Sequence, residues 1–168
     1  IAQVFTGRER FEPGNPQEGY SPSPQERQSW LQISYMKEAY HTMGPKFTLG
    51  WMAEALYSSK NFSENYTATM MQAGEFAPTP HSKLMYNEAF RANQYVAAGI
   101  KPIYVLNDMF QFRTEFYGFT PIFPIKKNAL NKAYYGKAFS RFEYMGEVSV
   151  ICHLPFGAIS AYVNHYSS

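Results

Sequence analysis

Four histidines (His41, His81, His153 and His165), one cysteine (Cys152) and two glutamates four residues apart (Glu143 and Glu147) are the side chains whose chemistry comes forward first. The histidines are scattered and none pairs at i, i+4, so they predict no metal site. Glu143 and Glu147 fall on one face of a strand, where a rise of ~3.3 Å per residue sets their Cα atoms ~13 Å apart. That is far for a pair of glycosidase carboxylates, and the spacing predicts a solvated or salt-bridged face. One cysteine allows no intrachain disulfide and no cysteine cluster, and Cys152 reads as a small hydrophobe on an apolar face. No G-x-S-x-G elbow, P-loop, G-x-G-x-x-G or H-E-x-x-H occurs in the chain. The residues therefore point to no catalytic group and no cofactor.

With so little chemistry on offer, the elements that carry these residues become the informative part. The chain has 168 residues, enough for one domain or a piece of a larger one. Its net charge is +2, with no clustered basic face, which gives no case for nucleic acid. Charged residues are 17%, below the roughly 25% of ordinary soluble domains. Fourteen Tyr, 14 Phe and 2 Trp exclude a disordered chain. Residue 1 is Ile with no leader after it, and the last residues fall in a strand-like stretch, so the sequence reads as a piece of a longer protein. No stretch has the ~20 apolar residues of a membrane helix.

Period-two alternation is the dominant pattern and predicts strands. Residues 30–40 put Leu31, Ile33, Tyr35 and Ala39 on one face, interrupted by Lys37; residues 47–56 put Phe47, Leu49, Trp51, Ala53 and Ala55 together. Residues 95–106 and 110–119 make a second pair, with Val96, Ala98, Ile100 and Tyr104, then Phe110, Phe112, Thr114 and Phe116, on the apolar face. Pro102 weakens the first of these locally, because proline donates no ladder hydrogen bond. Residues 139–154 and 157–166 make the third pair, and residues 1–6 a weaker opening strand. The opposite faces carry Glu38, Glu54, Lys101, Arg113, Glu115, Arg141, Glu143 and Glu147, which predicts a wet interior with pairing across strands.

Between these strands, tight turns alternate with long loops at about 7–26, 61–90 and 126–136. The second of these holds a partial strand at 66–71, and its segment 78–83 reads as a surface loop or one folded back into a lumen. Transmembrane barrels show this asymmetry, and their strands need ~9–11 residues against a mode of about 5–6 in globular proteins. Tyr and Trp near strand ends (Trp30, Tyr40, Trp51, Tyr57, Tyr95, Tyr104, Tyr117 and Tyr166) fit interfacial girdles or ordinary core positions. The expected fold is all-β: an antiparallel meander of long strands, part of a transmembrane β-barrel.

The wording at 65–83, at Phe90-Arg-Ala-Asn-Gln-Tyr-Val-Ala-Ala-Gly-Ile-Lys-Pro-Ile-Tyr, at Phe112-Arg-Thr-Glu-Phe-Tyr and at Phe142-Glu-Tyr-Met-Gly-Glu-Val resembles one family. It is similar to the C-terminal region of patatin-like phospholipase proteins of Bacteroidetes-type bacteria. Those proteins join a patatin hydrolase domain to an outer-membrane barrel of the bacterial surface antigen type. The resemblance implies that residues 1–168 are a single barrel fragment, about six to eight strands of a roughly 16-stranded parent. The family's Ser-Asp dyad, in G-x-S-x-G and D-G-[GA] motifs, has no counterpart here, so the hydrolase domain is absent and the fragment is not an enzyme. Related barrels carry a lumenal-loop arginine that pairs with acidic residues on the inner wall. The resemblance offers Arg91 for that place, without the Arg-Gly-Phe or Arg-Gly-Tyr of the motif. With Arg113, Glu115, Arg141, Glu143 and Glu147 it makes a candidate lumenal charge network.

The expected function is the outer-membrane barrel portion of a patatin-like phospholipase, anchoring or exporting an attached lipid acyl hydrolase. Its expected partners are outer-membrane lipid and the preceding hydrolase domain; a homo-oligomer is allowed. Two other readings stand beside it. One is a soluble β-barrel or sandwich that binds an apolar ligand, with Phe112, Phe116, Val148 and Val150 inward. The other is an outer-membrane assembly or secretion pore without a hydrolase.

Overall fold

The alternating stretches form seven long strands in one sheet. The computed structural model describes residues 1–9, 28–63 and 65–167. In chain order the elements are β1 (Ala2–Glu9), β2 (Gln28–Thr42), β3 (Phe47–Ser58), α1 (Tyr66–Gln72), β4 (Gly74–Glu75), β5 (Arg91–Ala92), β6 (Gln94–Val105), β7 (Phe110–Pro121), β8 (Ile125–Lys127), β9 (Ala133–Tyr135), β10 (Glu143–Leu154) and β11 (Gly157–Tyr166). Short 3₁₀ turns at Ser82–Leu84 and Glu88–Phe90 lie between β4 and β5. The main sheet has the order β1-β2-β3-β6-β7-β10-β11, and every neighbouring pair is antiparallel. The expected all-β antiparallel meander is the architecture of the chain.

The tight connections all fall at one end of the sheet. They are residues 43–46, 106–109 and 155–156. At 106–109 the turn is set by Asn107, whose Oδ1 accepts from the Met109 and Phe110 amides at 3.0 and 2.8 Å. The opposite end receives residues 59–63, 65–93 and 122–142. The ladder of β6 with β7 keeps one register on both sides of Lys101 and Pro102, where no pairing to β7 forms. Pro102 interrupts the hydrogen bonds there without bending the strand out of line, since Leu49 still pairs with it from β3.

Several expected boundaries move. The loop expected over 7–26 begins as strand, because β1 runs to Glu9; residues 10–26 of it lie outside the described residues. The strand expected from 139 starts at Glu143. Phe139 has φ +51°, a left-handed conformation that an extended chain does not hold. The loop expected over 126–136 contains the hairpin β8–β9.

The largest difference lies in the insertion between β3 and β6. The partial strand expected over 66–71 is the helix α1. Asn65 caps it, its side chain accepting from the Ala68 amide at 2.8 Å, and Tyr66, Thr69 and Met70 meet at i, i+3, i+4 on the buried side. Replacing Asn65 with Ala is expected to cost about 1 kcal/mol. Hydrogen exchange at residues 66–72 checks this, since the loss should appear there and leave β6 and β7 unchanged.

Helix α1 packs on the β8–β9 hairpin through Tyr66, Met70, Ala73 and Ile125, with Phe62 and Ala133 at the margin. The rest of the insertion lies on the sheet. Phe76, Ala89, Phe90 and Ala92 join Met52, Leu56, Tyr95, Ala97, Tyr117, Phe119 and Met145 in one buried cluster. Phe76 stacks on Phe119 at 5.8 Å and meets Tyr95 and Tyr117 edge-on at 6.1 and 6.0 Å. Glycines opposite aromatics make room on this face: Gly7, Gly50 and Gly99 pair with Trp30, Tyr40 and Tyr117. A Cβ at any of the three would collide with the ring across from it.

Candidate functional site

The register decides which face each side chain takes, because a strand alternates with period two. On the described strands Glu38, Glu54, Lys101, Arg113, Glu115, Glu143 and Glu147 share the face that the insertion covers. The apolar set takes the other face and stays exposed. Its rows run Tyr35–Ala55–Val96, Ala39–Trp51–Ile100–Phe116 and Tyr104–Phe112–Val150–Ala161. Ile100 is 49% exposed, Phe116 52% and Val148 51%. The sheet is thus apolar outside and charged beneath its cover, the reverse of a soluble sheet packed on its core.

The covered face has two zones. Near the long connections it is apolar, filled by Phe76 and Phe90. Toward the tight turns it is ionic. The side chains of Lys101 and Glu115 are 6% and 4% exposed. Charges this deep must be paired, because desolvating a lone ion costs several kcal/mol. Lys101 pairs with Glu38 across two strands, and Glu38 also accepts from Tyr40 Oη at 2.7 Å. Glu115 pairs with Arg113 and accepts from the Tyr117 hydroxyl. The Arg113 contact is ionic rather than an aligned hydrogen bond, since its Nε remains without a hydrogen-bond acceptor. Glu147 stands directly opposite Glu115, and its buried Oε2 has no hydrogen-bond partner among the described residues. Arg113 offsets a like-charge pairing that would otherwise be unfavourable. At the long-connection end, opposite Phe119, Arg141 donates to Glu143 at 2.7 Å, and Ser167 donates to the same carboxylate.

Arg91 lies on β5, within the insertion. Its Nη2 donates to Glu75 Oε2 at 2.7 Å, and Glu75 lies on β4 of the same insertion. Its Nη1 faces the carbonyls of Met70, Met71 and Ala73 at 3.3–3.4 Å, and its guanidinium stacks 4.8 Å from the Tyr86 centroid. Helix α1 has no basic residue in its own last turn, and Arg91 supplies the cation for those end carbonyls from far along the chain. It holds the insertion together and stands apart from the Arg113–Glu115 and Arg141–Glu143 pairs. Another insertion pair, Tyr66 to Glu88, keeps the phenol as a neutral donor; burial first, and then the carboxylate, push the Tyr66 hydroxyl above its ordinary value.

Between insertion and sheet lies a cleft of about 370 Å³ lined by Glu38, Glu54, Glu75, Lys83, Lys101 and Met52. Two of its carboxylate residues are tied together by the buried Tyr95, which donates to Glu54 at 2.6 Å with its oxygen 3.1 Å from the Glu75 carbonyl oxygen. The mixed charges suit water and small ions more than an apolar ligand. Outside this cleft, Ser82 donates to the Thr79 carbonyl at 2.8 Å, while His81 Nδ1 lies 3.2 Å from the Tyr162 hydroxyl. Among the described residues no three His, Cys, Asp or Glu gather to hold a metal ion.

Sequence reasoning left Glu38, Glu54 and Lys101 out of the candidate network although the same face carries them. Alternation alone would have added them. Glu75 gave no signal, because a two-residue strand inside a loop has no periodicity. Of the eight girdle aromatics, Trp51, Tyr57 and Tyr104 face outward; Tyr40, Tyr95, Tyr117, Trp30 and Tyr166 take the covered face. No family model matches the chain, and neither a curated protein nor a solved structure matches it.

Proposed function

We propose that the chain is part of the wall of an outer-membrane β-barrel, with its apolar face in lipid and residues 59–93 folded into the lumen. In the parent protein this wall anchors or exports an attached lipid acyl hydrolase, as the resemblance to patatin-like phospholipases implies; the fragment catalyses nothing itself. The observation that carries the membrane reading is the segregation of charge. A largely apolar face across seven strands, carrying only Lys37 and Arg8 as described charges, is exposed, and the other charged side chains of the strands share the face under the insertion.

Dimensions support it. From Phe47 to Tyr57, both outward and both aromatic, β3 extends ~33 Å. At the tilt of barrel strands this spans about 25 Å of depth, the height of a lipid-facing band. Tight turns at one end and long connections at the other fit the two sides of an outer membrane. No described helix is long and apolar enough to cross a membrane, so any crossing would use strands. The soluble alternative needs Phe112, Phe116, Val148 and Val150 in an interior. The first three are exposed and the fourth half-buried, which weighs against it.

Partitioning of the purified chain between buffer and detergent micelles tests this. A β-type circular dichroism spectrum only in micelles, with a gel-mobility shift on boiling, is the expected result. A soluble monomer with a folded β spectrum in plain buffer overturns it. The sequence preceding Ile1 tests the enzymatic half: a G-x-S-x-G elbow supports a hydrolase, and tandem periplasmic repeats replace it with assembly or secretion.

A further inference from the structure

Nine Asp, Glu, Lys and Arg side chains are described on the seven long strands, and the covered face takes all except Arg8 and Lys37. Arg8 lies at the long-connection end of β1. Lys37 lies within the apolar face. Across the ladders it meets Ala53, then Ala98 and Gly118. It is exposed and, among the described residues, makes no ion pair.

The direction of its side chain is informative. Lys37 Nζ sits over the Trp51 ring, 5.5 Å from the centroid. Trp51 pairs with Ala39, two residues nearer the tight turns, so the ammonium leans toward that end. The next outward residue of β2 is polar, His41, opposite Leu49. A lysine on a lipid-facing wall runs its stem along the apolar surface and brings its head to the interface, with an aromatic ring beside it. Ala53 and Ala98 carry nothing larger than a methyl, which leaves a shallow trough for an acyl chain next to the cation, closed beyond them by the Phe142 ring over Gly118. A second copy cannot supply the missing countercharge from this face, since no described Asp or Glu points outward from the sheet.

We propose that Lys37 and Trp51 form a binding site for the phosphate of an anionic glycerophospholipid in the leaflet beside the tight turns. This rests on the membrane reading above. The test uses the whole chain with Trp30→Phe, so that Trp51 is the remaining tryptophan, in phosphatidylcholine vesicles containing brominated phosphatidylglycerol or brominated phosphatidylcholine. Cys152, the one cysteine and also outward, carries a bimane label as a reference for general lipid contact. The expected result is that phosphatidylglycerol associates with the Trp51 site about fivefold more strongly than phosphatidylcholine, the worth of one lysine at an anionic surface. The preference should vanish in Lys37→Gln and persist in Lys37→Arg. Equal quenching by the two lipids, or a preference that survives Lys37→Gln, overturns the site. Quenching of the Cys152 label without quenching of Trp51 overturns it too, placing a protein partner over Lys37 instead. If neither probe is quenched, the membrane reading itself falls, and the lipid site with it.

Discussion

Truncation of Phe76 to Ala is expected to lower the unfolding free energy by about 3–5 kcal/mol, the range for removing a buried phenyl group. Phe76 is 1% exposed and touches aromatic rings on two strands, Tyr95 of β6 and Tyr117 and Phe119 of β7. With Phe90 it is one of two rings by which the insertion grips the wall. The cavity cannot close easily, because the three rings around it are themselves fixed: Tyr95 by Glu54, Tyr117 by Glu115, and Phe119 by Phe90 at 5.7 Å. Two readouts separate the consequences. Urea unfolding in micelles reports the global loss, and protease cutting within residues 59–93 reports release of the insertion. A loss under about 1 kcal/mol, with no faster cutting, would mean that this contact does not hold the insertion.

Replacement of Ile100 by Arg should cost about 2–4 kcal/mol when the chain folds into phosphatidylcholine vesicles, as for cations near the middle of a barrel's lipid face. Ile100 is half exposed, so in a water-soluble protein the same change would stay within about 0.5 kcal/mol. It lies midway along β6 between Trp51 and Phe116, away from the insertion and from every ion pair of the covered face. The penalty therefore reports the solvent on the outer face and little else. Reversible urea titration in vesicles, followed by tryptophan fluorescence, measures it. A change below 1 kcal/mol would put the apolar face in water or against protein. The variant is more decisive than removal of a buried charge, because breaking Arg113 from Glu115 destabilises a lumen and a soluble core alike.

What the sequence made legible follows from what is local. The alternation of 47–56 and 110–119 carries its own face assignment, because every second residue must point the same way. Tight turns then fix register: Pro155 and Phe156 bring Leu154 opposite Gly157, and Val148 opposite Val163 follows by counting. Where residues 59–93 intervene, counting fails. That Lys101 meets Gly50 and reaches Glu38 depends on how β6 docks on β3, and no turn sets that alignment. Helix α1 escaped because seven residues are too few to show a period over the alternation around them, although Asn65 was a readable cap. The partner of Arg91 was illegible for a related reason. That partner, Glu75, lies on a two-residue strand whose pairing exists only once the insertion has folded.

The odd number of described strands in the sheet has a topological consequence. All six ladders are antiparallel, so β1 and β11 run in the same direction. A cylinder alternating in direction all the way round has an even count. Seven can belong to it only if an odd number of further strands stands between β11 and β1. Copies of this sheet arranged by rotation about the cylinder axis would meet β11 to β1 in parallel at every seam. A copy turned over to meet in antiparallel fashion would carry its long connections to the opposite side of the membrane. An alternating wall with all its long connections on one side must therefore be completed by strands unlike these seven, and both their parity and the direction of the first and last are already determined.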